Sequence, residues 1–185
     1  EWLGWSEAFL VMTLVSFILL VLFAMLLPAS RHFIPKKVTP VAMLMQLGAH
    51  LNNPLLLLAY LIGGFNFFIF INQYSFVTFL LADAPYHLSP SWLGLLFLTY
   101  LSGTVGSALS GRIAQQVAQP ACMIIGIVIL MVGSLVTLIP SIWGIIGGFL
   151  ISAFGFFFAH STVSSWVSHN ALQAKASASS LYLLF

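Results

Sequence analysis

Charge is what this 185-residue sequence has least of: five Lys or Arg and three Asp or Glu, 4% of the chain. A soluble domain carries about a quarter charged residues, and so few charges cannot keep a surface of this size in water. A water-soluble globular protein is thereby excluded. The formal net charge of +2 excludes a nucleic-acid binder as well, because phosphate contacts need a dense basic patch. The single cysteine, Cys122, permits no internal disulfide and sits in an apolar run, where it reads as a small core residue. No basic stretch precedes the first apolar run, as a cleavable secretory signal would require. The sequence also lacks a nucleophile–base pair, a metal-ligand cluster and a phosphate-cradling glycine loop, so neither an enzyme nor a cofactor is expected.

What is present is apolar. Hydrophobic residues make up 61% of the chain, 17 residues are Phe, and the mean hydropathy is +1.11. That content rules out intrinsic disorder and points to a chain that lives in a bilayer. One crossing takes about 20 mostly apolar residues, and the apolar content suffices for five or six. Apolar runs between breakers predict an all-α, polytopic transmembrane helix bundle of five complete spans and the start of a sixth. The first runs from Ala8 to Leu27, before Pro28. The second runs from Leu55 to Leu81, opened by Asn53-Pro54 and closed by Asp83-Ala84-Pro85. The third opens with Ser89-Pro90-Ser91, a cap followed by proline in the first turn, and ends near Ser110. The fourth covers Ala121 to Ile139, the fifth Ile142 to Trp166, and the sixth begins near Ala176. The link Pro140-Ser141 forces spans four and five into an antiparallel hairpin. The chain begins with Glu1 rather than Met and stops inside the run Leu181 to Phe185, so it reads as a segment of a longer polypeptide.

The charges orient these spans. With loops alternating between sides, Arg31, Lys36, Lys37, Arg112 and Lys175 all fall on one side, and Glu1, Glu7 and Asp83 on the other. The basic side is expected to be cytoplasmic, which puts the N-terminus of this segment outside. Trp2, Trp5, Tyr86, Trp92 and Trp143 lie near the outer boundary and Trp166 near the inner one, in keeping with an aromatic belt. The longest loop, Pro28 to Pro54, is then cytoplasmic. Its apolar stretch Val41 to Leu47 reads either as an interfacial helix against the lipid or as a linker that merely packs there.

Four stretches carry a family resemblance: Trp2-Leu3-Gly4-Trp5 before an inward span, Leu27-Pro28-Ala29-Ser30-Arg31-His32-Phe33 at its end, His50-Leu51-Asn52-Asn53-Pro54 before the second span, and Ser110-Gly111-Arg112-Ile113-Ala114-Gln115-Gln116 after the third. Together with loop lengths and orientation they resemble the major facilitator superfamily, specifically its bacterial sugar- and drug-efflux permeases. The resemblance implies that residues 1–27 correspond to helix six, 28–54 to the cytoplasmic central loop, and 55–185 to helices seven to ten and the start of eleven. It implies an inner-membrane protein whose partners are a small-molecule substrate, protons, membrane lipids and an N-terminal helix bundle of the same polypeptide. The last of the four stretches resembles the family's loop motif Gly-Arg-Leu-Ala-Asp-Arg-x-Gly-Arg, with Gly111 and Arg112 retained but Gln115, Gln116, Ala118 and Gln119 where the motif has Asp, Arg, Gly and Arg. Any conformational brace at this loop therefore rests on Arg112 and hydrogen bonds, and Arg112 also reads simply as a topology anchor.

Transport needs polar groups near the midplane. At 1.5 Å per residue, Asn66 lies close to the middle of the second span, with Asn72, Gln73 and Tyr74 about 6–9 Å further out. Asn66 and Gln73 are seven apart and share one stripe, from which Asn72 is rotated away. Asn66, Asn72, Gln73, Tyr74 and Tyr100 are the candidate substrate contacts; interhelical hydrogen bonding is the competing reading for the amides. His160 is a candidate proton carrier, lying toward the inner face, where a packing role competes. The Ser and Thr residues around it read as bonded back to their own helix. Gly63-Gly64 offers a place for the second span to bend, and the remaining intramembrane glycines read as close-packing sites. Two functions fit: a secondary transporter that exports a small organic solute in exchange for protons, or a non-transporting assembly or sensory subunit whose polar residues only hold helices together.

Overall fold

Three of the helices start where a short polar residue meets a proline. In the computed structural model, which describes residues 4–28 and 39–185, Thr39 caps a helix whose first residue is Pro40, and its hydroxyl accepts from Ala42 N at 3.3 Å. Asn53 does the same ahead of Pro54, its Oδ1 accepting from Leu55 N at 3.0 Å and Leu56 N at 3.3 Å. Ser89 precedes Pro90, and Ser141 Oγ accepts from Gly144 N at 3.0 Å. Proline loses nothing at a first turn, where its missing N–H would have had no partner, and the capping oxygen satisfies a donor that would otherwise be orphaned.

The resulting helices are α1 (Trp5–Leu26), α2 (Pro40–Leu51), α3 (Pro54–Ala82), α4 (Pro90–Leu96), α5 (Tyr100–Ile113), α6 (Gln119–Val136), α7 (Ile142–Asn170) and α8 (Lys175–Leu184), with a 3₁₀ turn at Phe97–Thr99 joining α4 to α5. No strand occurs among the described residues. Five stretches are long and apolar enough to cross a bilayer: Ser6–Leu26, Pro54–Ala82, Pro90–Ile113, Gln119–Val136 and Ile142–Asn170. These are the five spans expected from the sequence, and the chain is an integral membrane protein.

The chain divides into two units, one holding α1 and the other running from Thr39 to Phe185. In the first, α1 is a single apolar helix whose Thr13 hydroxyl donates to Phe9 O at 2.8 Å, which satisfies that hydroxyl within its own helix. Its helix starts earlier than the apolar run suggested. Glu7 therefore lies in its first turn, at the end of a span and not in its middle.

In the second unit α7 is the central element, packed against α3, α5, α6 and α8. Two buried clusters line it. One joins Leu56, Tyr60, Met123, Val163, Val167 and Tyr182, and the other joins Phe70, Tyr74, Leu81, Leu130, Phe149 and Phe156. Large apolar side chains elsewhere face outward, as lipid requires; Trp143 is 79% exposed and Phe79 72%. Lipid tails are as apolar as leucine, so the helices are held by close packing and hydrogen bonds instead of by the hydrophobic effect. The α6–α7 hairpin shows this best. A Cβ built on Gly126 would lie 2.6 Å from Ala159 N, and one on Gly148 would lie 2.8 Å from Gly133 O. Any residue larger than glycine there would push the two backbones apart.

Two expectations change in detail. The helix runs through Gly63-Gly64 without a break, because Gly63 makes room for the ring of Tyr182 rather than a bend. Four residues past Trp166 are also helical, so α7 is centred on Phe156 and His160 lies only about 6 Å past its middle.

Candidate functional site

The polar residues of α3 point in two directions. Asn66 is 4% exposed and donates from Nδ2 to Phe156 O on α7 at 3.4 Å. Gln73 donates from Nε2 to Ser134 Oγ on α6, and Asn72 donates to Phe68 O of its own helix at 2.8 Å. The carbonyl oxygens of Asn66 and Gln73 are buried without a partner among the described residues. All three amides border hollows of the α3–α6 seam. One of about 410 Å³ touches Asn66, Leu130 and Ser134, and one of about 470 Å³ touches Asn72, Gln73 and Thr137. Ser134 was visible in the sequence as a polar break in an apolar run, but nothing there paired it with Gln73.

Tyr74, one position from Gln73, turns the other way. It is buried, and its hydroxyl meets Thr99 Oγ1 at 2.5 Å, while Thr99 itself donates to Leu96 O at 2.7 Å. The 3₁₀ turn at Phe97–Thr99 delivers that threonine. Tyr100 follows it and packs edge-to-face on Tyr74 with ring centres 4.6 Å apart. Phe70 and Phe156 stack 4.0 Å apart and only 5° from parallel, and Tyr100 meets Phe157 at 6.0 Å. The five candidate substrate contacts thus form two groups, amides between α3 and α6 and tyrosines among α3, α5 and α7.

Next to the aromatic group, α7 presents a half-buried stripe of Phe157, His160, Ser161 and Ser164. Several serine and threonine hydroxyls bond back to a carbonyl three or four residues earlier; Thr162, for one, donates to Phe158 O at 2.9 Å. Ser161, Ser164 and Ser165 do not, and their hydroxyls have no hydrogen bond among the described residues. His160 stacks on Phe156, with ring centres 5.4 Å apart. Its Nδ1 lies 2.9 Å from the hydroxyl oxygen of Tyr182 on α8, which also reaches His160 O at 3.3 Å. Sequence reasoning missed Tyr182, because nothing in the order of residues tells which helix α8 lies against. Gly111 and Arg112 sit exposed in the last turn of α5, where a cation complements the helix dipole. Arg112 makes no ion pair among the described residues. No three His, Cys, Asp or Glu side chains come together among the described residues to hold a metal ion.

An apolar bundle with polar groups turned inward is what a membrane transporter needs, and the comparisons with known proteins agree. The family model of the Major Facilitator Superfamily matches residues 1–185. The chain belongs to the major facilitator superfamily. Among its relatives in that superfamily are an uncharacterized transporter of Buchnera aphidicola from Schizaphis graminum, 34% identical over the whole chain and 45% of that protein, and the uncharacterized MFS-type transporter YybF of Bacillus subtilis, 34% identical over the whole chain and 46% of that protein. The inner membrane transport protein YnfM of Escherichia coli is 32% identical over 88% of the chain and 39% of that protein. The chain therefore spans about half the length of the curated relatives it matches. No solved structure matches it significantly.

Proposed function

We propose that this chain is the C-terminal part of a longer secondary transporter of a bacterial inner membrane, one that exports a small sugar- or drug-like organic solute in exchange for protons by alternating access. Residues 1–27 correspond in this reading to helix six, residues 28–54 to the cytoplasmic central loop, and residues 55–185 to helices seven to ten and the start of eleven. An N-terminal helix bundle of the same polypeptide supplies the opposite wall of the solute path. Within the loop, α2 lies on the membrane surface, with Val41, Leu44 and Met45 toward the acyl chains, a reading their exposure supports.

The observation that carries the reading is the half-buried stripe of α7. On the most enclosed helix of the unit, Phe157, His160, Ser161 and Ser164 remain open, two of them with unused hydroxyls, and Tyr100 stands beside Phe157. In hydrocarbon, open hydroxyls and an imidazole are costly unless they meet water, a solute or another bundle. Tyr100, with Tyr74 behind it, is accordingly the leading substrate contact. Asn66 and Gln73 are placed to bond helices with their amide hydrogens, and their spare carbonyl oxygens make them the second pair of contacts to test.

The test uses the full-length transporter in liposomes with an imposed pH gradient, acid inside, and a panel of labelled sugars together with ethidium. Uptake of at least one probe above empty liposomes, accelerated by the gradient, is the expected result. Absence of any flux would overturn the transporter reading, and flux indifferent to the gradient would overturn antiport. Orientation is checked separately: single cysteines at Arg112 and Asp83, in a background lacking Cys122, should label from opposite sides of the membrane. Labelling of both from outside would overturn the topology.

A further inference from the structure

We propose that Tyr182 is a positioning residue that holds His160 in its Nδ1–H tautomer, so that Nε2 is the atom that takes up and releases a proton. The inference rests on the antiport reading only for the use to which the proton is put; the geometry stands by itself. The Tyr182 hydroxyl has one hydrogen and two acceptors in reach, His160 Nδ1 at 2.9 Å and His160 O at 3.3 Å. If the hydroxyl donates to Nδ1, one hydrogen bond forms and the contact to the carbonyl has no hydrogen in it. If His160 Nδ1–H donates to the hydroxyl oxygen and the hydroxyl donates to the carbonyl, both contacts are hydrogen bonds. Each bond is worth about 0.5–1.5 kcal/mol net, more where the surroundings are dry. The second arrangement is therefore preferred, and it leaves the lone pair on Nε2.

Nε2 has no hydrogen-bond partner among the described residues and is not one of the buried polar atoms left without one. A proton arriving from water adds to that lone pair to give the imidazolium, and it leaves by the same atom. Neither event disturbs Nδ1–H, the tyrosine or the carbonyl, because the cation needs the same donors in the same places. His160 can thus change charge without the α7–α8 contact coming apart. The ring is held on its other side by the stack on Phe156 and is kept close to α3 because Gly63 leaves space for the Tyr182 ring.

Among the described residues, the helices packed against α7 carry no carboxylate to act as counter-charge. The titratable or charged groups on the helices packed against α7 are Tyr60 and Tyr74 on α3, Tyr100 and Arg112 on α5, Cys122 on α6, and Lys175 and Tyr182 on α8. The nearest carboxylate in sequence on these elements is Asp83, which caps α3 some 30 Å along the helix from Gly63. A proton on His160 is therefore a net added charge in this unit, and it must be balanced from the open side of the α7 stripe.

The experiment is nitrogen-15 NMR of the full-length transporter in nanodiscs, with labelled histidine and His160→Gln to assign the signal, titrated from pH 5 to 8. The expected result is a neutral His160 with its proton on Nδ1 and a titrating Nε2. In Tyr182→Phe, which keeps the ring volume, the neutral form should shift toward the Nε2–H tautomer and the titration midpoint should move, with elution on size exclusion unchanged. A wild-type His160 found mainly as the Nε2–H tautomer would overturn the proposal, as would a tautomer and midpoint untouched by Tyr182→Phe. These readouts need no solute. A transporter indifferent to a pH gradient would defeat the antiport reading while leaving the pair to be judged on its spectrum.

Discussion

The two sides of α7 are built from opposite materials. Toward α6 the seam is glycine and small residues, with Gly126 against Ala159 and Gly148 against Gly133, and the backbones touch. Toward α3 and the Tyr100 end of α5 it is aromatic, with Phe70 stacked on Phe156 and Tyr74 edge-on to Tyr100, while further along α5 Gly106 again meets backbone at Phe154 O. Backbone contact leaves no room for water or for a solute, and it does not depend on rotamers. Rings and hydroxyls can shift by rotation about side-chain bonds and can be wetted. The first seam is fit to be a rigid strut, and the second is fit to be the wall that changes during transport. One helix serves both purposes because its residues alternate between the two faces at helical spacing.

The largest test of this contrast strikes the strut. Gly133→Leu would place side-chain atoms on Ser152 and on the carbonyl of Gly148. Overpacking costs about 1–3 kcal/mol even where side chains can yield, and here backbone would have to move. Most of the protein should fail to survive detergent extraction and size exclusion; a normal yield would show that the seam is not rigid. Next comes the aromatic wall. Tyr100→Ala should leave yield intact and reduce solute flux about tenfold or more, equivalent to roughly 1.4 kcal/mol of lost transition-state stabilisation. Undiminished flux would remove Tyr100 from the solute path.

A smaller effect is expected in the α3–α6 seam. Gln73→Leu removes one interhelical hydrogen bond, worth about 0.6 kcal/mol in a bilayer, and Asn66→Leu removes the bond to Phe156 O. Both should lower thermal stability slightly and change flux by less than about threefold. Abolished transport in a stably folded Gln73→Leu protein would relocate the solute to this seam. The mildest is Phe79→Leu. That ring is 72% exposed toward lipid, and its loss should alter flux by less than about twofold.

Helix positions were legible because their causes are local. Asn53-Pro54 and Ser89-Pro90 state where a helix begins whatever surrounds them, and a run of apolar residues long enough to cross a bilayer has few alternatives. The shared stripe of Asn66 and Gln73 was legible for the same reason, since helical periodicity is a property of one chain segment. Their partners were not. Asn66 reaches the backbone of α7 and Gln73 reaches Ser134 on α6, so residues on one stripe serve two different neighbours. Nor did the sequence distinguish Thr162, bonded back to Phe158 O, from Ser161 and Ser164 with free hydroxyls. That difference depends on what each side chain meets across the helix surface.

The sequence by itself determined that this is a membrane-spanning helical protein and where its spans lie, because composition, proline caps and hydrophobic length act within a few turns of chain; its short motifs carried the resemblance to a superfamily. Only the tertiary structure decided that Tyr74 and Gln73, adjacent in sequence, belong to different seams, and that Tyr182 stands over His160. Contacts between helices far apart in the chain depend on how ring, glycine and hydroxyl surfaces fit together in three dimensions, and in lipid no hydrophobic force favours one pairing of apolar helices over another.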